Sequence, residues 1–73
     1  MGFVYVHYDR ERSVYVDDEW TGFTNKPLRV SNGLHDIDLG EPDNVTPESF
    51  SKIVKATHTI LRPLELTFVR DGA

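Results

Sequence analysis

SVYVDDEWTGFTNKPLRVSNGLHDIDL, residues Ser13 to Leu39, decides the fold of this 73-residue chain. Two alternating apolar stretches, a tight acidic turn, a glycine and a second turn follow one another there, which is the pattern of a β-meander. Val14, Tyr15 and Val16 form the first strand, and Asp17-Asp18-Glu19-Trp20 ends it. A two-residue loop at Asp18 and Glu19 sets Asp17 opposite Trp20, Val16 opposite Thr21, Tyr15 opposite Gly22 and Val14 opposite Phe23. Side chains alternate between faces along a strand, so Val14 and Val16 are expected in the core, with Tyr15, Asp17 and Trp20 looking outward. A slip of one residue would exchange the faces.

Pro27 opens a short strand over Leu28 to Val30, and Ser31-Asn32-Gly33 is a strong turn signal before the alternation resumes from Leu34 to Leu39. In that last strand His35, Ile37 and Leu39 share one face, while Asp36 and Asp38 share the other. Upstream, Phe3 to Tyr8 is rich in β-branched and aromatic residues and reads as a strand covered on both faces. Asp9 to Arg12 is charged and reads as a connection. Downstream, Glu41 to Pro47 reads as a loop long enough to carry specificity. Thr46 to His58 admits two readings. Pro47 at a first helical position, with Phe50, Ile53, Val54 and Thr57 at helical spacing, makes an α+β alternative with a helix near 47–58. The β-branched residues of the same stretch favour a strand over Ser51 to Ala56. A final strand follows Pro63, where Leu64, Leu66 and Phe68 alternate. The resulting expectation is one domain over residues 1–73, all-β, with about 6–7 short strands. Arg29, Asp36 and Asp38 are the charges expected to guard exposed strand edges.

The run from Val14 to Gly22, Pro27, and the run from Ser31 to Leu39 together resemble the PEGA domain family. The matching residues are Asp17, Gly22, Thr24, Gly33 and His35; Asp18 stands where that family has glycine. The resemblance implies a small antiparallel β-sandwich of the prealbumin-like or carbohydrate-binding-like kind, a bacterial or archaeal setting, and no active site. It also favours the strand over the helix at Ser51 to Ala56.

Composition narrows the function. The formal net charge is -4, and the few Lys and Arg residues are dispersed along the chain. Nucleic-acid binding needs clustered cations, so no nucleic-acid partner is expected. No apolar run reaches the length of a membrane helix, so membrane insertion is not expected. Met1 to Tyr8 lacks the features of a signal peptide. The expected location is the cytoplasm, unless the chain is an excised domain of an exported protein. With no cysteine there is neither a disulfide framework nor a thiolate metal site.

Tyr15, Asp17 and Trp20 are the candidate ligand-binding residues. Exposed aromatic faces stack on sugar rings or anchor a protein partner, and Asp17 would accept hydrogen bonds beside them. The competing reading is that Trp20 covers the end of a thin core and Tyr15 shields the backbone of Gly22. His35 is expected half-buried, turned away from Asp36 and Asp38. His7, His35 and His58 lack zinc-site spacing, so no metal and no cofactor are expected. The serines sit in no nucleophile motif, so no catalytic residues are expected. The expected activity is that of a non-catalytic module with a structural or protein-interaction role, through a protein partner or self-association. The alternative is a module that binds cell-envelope glycan.

Overall fold

The computed structural model describes residues 1–41 and 44–70, and these contain no helix. Nine strands follow in order: β1 (Gly2–His7), β2 (Ser13–Val16), β3 (Glu19–Phe23), β4 (Pro27–Val30), β5 (Gly33–Asp38), β6 (Val45–Thr46), β7 (Phe50–Val54), β8 (Leu64–Thr67) and β9 (Val69–Arg70). The all-β expectation is met. Residues 47–58 form no helix, because β7 takes Phe50–Val54 into a ladder with β5, from Gly33 opposite Val54 to Ile37 opposite Phe50. The strand begins one residue earlier than the sequence suggested and ends two earlier. Val45–Thr46, expected within a loop, pairs with β9.

One sheet has the order β4-β1-β8, and a second has the order β3-β2-β5-β7. Their inner faces contribute to one apolar core. Val4 and Val6 of β1, Leu28 and Val30 of β4, and Leu66 of β8 join Val14 and Val16 of β2, Ile37 of β5 and Val54 of β7. Gly22 leaves room for the Leu28 side chain, since an added Cβ would lie 2.5 Å from its Cδ2. A larger residue at that position would make the buried Leu28 side chain shift. Phe50 and Phe68 meet edge to face at 5.0 Å between ring centroids, a favoured arrangement for aromatic pairs.

One ladder departs from the expected antiparallel pattern. β8 lies parallel to β1, with Val4 opposite Leu64 and His7 opposite Thr67. A parallel neighbour needs a crossover rather than a hairpin, and here the intervening chain builds the other sheet before it returns. Asp36 and Asp38 do not protect an edge, because β5 lies between β2 and β7; Arg29 does lie on an edge strand, β4. No described helix is long and apolar enough to cross a membrane.

Candidate functional site

The β2–β3 hairpin is the part the sequence singled out, and its register differs from the expected one. Val16 faces Glu19, Tyr15 faces Trp20, Val14 faces Gly22 and Ser13 faces Phe23, so Thr21 is an extra residue in a bulge. The two loop residues are Asp17 and Asp18 rather than Asp18 and Glu19. Both have positive φ, 51° and 67°, as a tight hairpin turn of the primed type requires. Aspartate tolerates that conformation better than glutamate does, which is the local reason for the shift. The bulge then restores the faces. Val14 and Val16 are buried as expected, and Tyr15 and Trp20, being direct cross-strand partners, stand together on the outer face.

Trp20 does not cover the core. It is 57% exposed and meets Phe23 edge to face at 5.6 Å, while the Lys26 ammonium sits 5.5 Å from the Phe23 ring centre. Tyr15 shields no part of Gly22, whose inner side is filled by Leu28. Its ring lies instead against Gly40, where an added Cβ would be 2.7 Å from the ring edge. Gly40 has φ of 68°, so both its backbone and its lack of a side chain let the ring settle there. Tyr15 thereby lines an open groove of about 360 Å³ with Asp18, Asp38, Gly40, Glu41, Glu48 and Ser49. Four carboxylates border the groove and no cation does, among the described residues.

Asp17 does not join Tyr15 and Trp20. Its Oδ1 accepts the Asp36 N–H at 3.0 Å, and its Oδ2 meets His35 Nδ1 at 2.5 Å. The Asp17 N–H donates to the Asp36 carbonyl at 2.8 Å, so the carboxylate extends the β2–β5 ladder by one rung past the strand end. The Asp36 N–H and the His35 ring together hold the Asp17 carboxyl below its ordinary value of 3.8. The Asp17 carboxylate in turn raises His35 above its ordinary 6.5 against the opposing effect of burial, and the Ser31 carbonyl adds to the rise. His35 is indeed turned away from Asp36 and Asp38. The residue it meets, Asp17, stands 18 positions earlier.

Ser31 completes an Asp-His-Ser trio, with its Oγ 3.2 Å from His35 Nε2. The trio is not arranged for proton abstraction. Nε2 also lies 2.8 Å from the Ser31 carbonyl, which has no proton to give, so Nε2 must carry a hydrogen and donate it. Nδ1 donates to the Asp17 carboxylate in the same way. When both nitrogens are protonated the ring donates on both sides, ties the turn to the β4–β5 connection and has no lone pair to offer the serine.

The three histidines lie in three separate settings. His7 pairs with Glu65 at 3.0 Å, His58 Nδ1 accepts the Lys55 N–H at 3.0 Å, and His35 is held as described. No group of three His, Cys, Asp or Glu is placed to hold a metal ion among the described residues.

Sequence reading also missed a basic cavity of about 250 Å³ lined by Tyr8, Arg10, Arg12, Asn44 and Arg70. Arg10 and Arg12 are near neighbours in the chain, but Arg70 arrives only through the β6–β9 ladder, which sets it opposite Val45. Comparison with protein-family models, with curated proteins and with solved structures finds no match for this chain.

Proposed function

We propose that this chain is a non-catalytic β-sandwich interaction module that works through the outer face of its four-stranded sheet. Its partner is a polypeptide segment carrying lysine or arginine. The observation that carries this reading is the exposed Trp20, propped edge-on by Phe23 beside the carboxylate-bordered groove of Tyr15. Large exposed aromatic residues supply much of the binding energy at protein interfaces, and the groove favours a cationic side chain over an acidic one. A prealbumin-like sandwich, as the PEGA resemblance implies, suits a module that presents a sheet face. A second reading is supported by the Tyr15 ring with Asp18 and Asp38 lining the same groove, because a sugar ring stacks on such a face while its hydroxyls donate to the acids.

Amide spectra of the labelled domain, following the Trp20 indole N–H, separate these readings. Saturable shifts at Trp20 and Tyr15 with short Lys- and Arg-containing peptides, lost in Trp20→Ala, support the peptide reading. Shifts with soluble cell-envelope polysaccharide alone move the assignment to glycan. Shifts that grow with protein concentration and no added ligand assign the face to a second copy of the chain. A Trp20 signal that responds to none of these overturns the proposal.

A further inference from the structure

Three of the chain's eight Lys and Arg residues converge on the cavity beside Tyr8, although the chain carries a net charge of -4. No carboxylate lines it among the described residues. We infer that this cavity is an anion site that takes a phosphate monoester group through Arg10 and Arg70, with Arg12 as its scaffold.

The backbone that carries Arg10 and Arg12 is fixed from both ends by two consecutive residues of the opposite connection. Thr24 is fully buried; its Oγ1 accepts the Arg12 N–H at 2.9 Å and donates to the Arg10 carbonyl at 2.7 Å, and its own N–H donates to the Arg12 carbonyl. Asn25 clamps the residue that starts the connection. Its amide group accepts the Tyr8 N–H and donates to the Tyr8 carbonyl, at 3.1 and 3.0 Å. The Arg12 guanidinium lies 5.7 Å from the Tyr8 ring centre and donates to Asn44 Oδ1, Leu39 O and Gly40 O, which fastens the 39–44 segment to the cavity wall.

Arg10 and Arg70 are held differently. Both face the single carboxylate of Asp9, Arg70 at 2.6 Å and Arg10 only at 3.7 Å, beyond hydrogen-bond length. Two guanidiniums with one monoanion between them leave an excess of positive charge and of planar donor groups. A phosphate group offers these planar donors more acceptor oxygens than a second carboxylate would, and its negative charge is drawn by the remaining positive one. The Arg10 side chain is 62% exposed, so it can swing to a ligand without breaking any packing.

The test titrates the labelled domain with inorganic phosphate and with O-phosphoserine, against chloride and acetate at matched ionic strength. The Nε–H signals of Arg10 and Arg70 report the site. Saturable shifts with both phosphates, absent with chloride and weak with acetate, are expected. Response to inorganic phosphate but not to O-phosphoserine would show an adventitious ion only and overturn the ester assignment. Arg10→Gln and Arg70→Gln should each weaken binding about tenfold, the effect of losing one hydrogen bond between charged groups. Asp9→Asn should strengthen it several-fold by removing the competing carboxylate. Binding that is unchanged in Arg10→Gln and Arg70→Gln, or weaker in Asp9→Asn, overturns the inference. Unaltered Trp20 and core signals in these variants show that the fold is kept.

Discussion

Two connections of this small protein are both locked by side chains, and they are locked by different chemistry. The connection from Tyr8 to Arg12 is held by a buried hydroxyl and a carboxamide, Thr24 and Asn25, neither of which titrates. The Asp17–Asp18 turn is held by a carboxylate and an imidazolium, Asp17 and His35, both of which do. Neutral hydrogen bonds in a part-buried setting give a lock that is indifferent to pH but costly to break. An ion pair at the surface gives a weaker lock whose strength the medium can change. The first lock positions the arginines of the basic cavity; the second positions Asp18 at the rim of the acidic groove.

The comparison breaks most readily at Thr24. Thr24→Val keeps the shape of the side chain but leaves the Arg12 N–H and Arg10 carbonyl without their partner in a part-buried site, a loss expected at about 1–3 kcal/mol. Urea unfolding should show a lower midpoint with an unchanged slope, equally at pH 5.5 and pH 8. A penalty that varied with pH would mean that the two locks are not independent.

Asp17→Asn should cost less and should do so only over part of the pH range. The raised His35 contributes stability that is fully present below 6.5 and is lost as pH rises through its higher folded value. The lowered Asp17 contributes stability present above 3.8 and lost as pH falls through its lower folded value. The pair is therefore strongest between 3.8 and 6.5. Wild-type protein should become easier to unfold by urea on going from pH 6 to pH 9, and Asp17→Asn should show a flatter profile. Identical profiles would assign the turn's stability to its backbone hydrogen bonds alone.

The smallest effect is expected at Trp20. Removing an exposed ring that meets Phe23 edge to face should lower stability by about 1 kcal/mol or less. A larger loss in thermal or urea unfolding of Trp20→Ala would return that ring to a structural role and weaken the case for a binding face.

Much of the fold was legible in particular residues. Val14 and Val16 face the core, Leu64, Leu66 and Phe68 alternate as a strand should, and Ser31-Asn32-Gly33 does turn the chain. Of the candidate site, Tyr15 and Trp20 were read as outward-facing, and they share that face. Strand alternation, continued to Asp17, makes that residue their companion, but the strand ends at Val16. The turn began there, and a residue in a turn has no strand face.

Local pattern determined what is local: apolar alternation, turn chemistry, and an acidic chain without cysteine. The period of side chains along a strand depends only on backbone geometry, so it can be read before any partner is known. Which residues meet across the fold depends on ladder order, and ladder order is decided by how the inner faces pack. The parallel return of β8 onto β1, the meeting of Asp17 with His35, and the arrival of Arg70 beside Arg10 and Arg12 each join positions that nothing in their spacing connects. Packing of the shared core brought them together, and only the tertiary structure could show it.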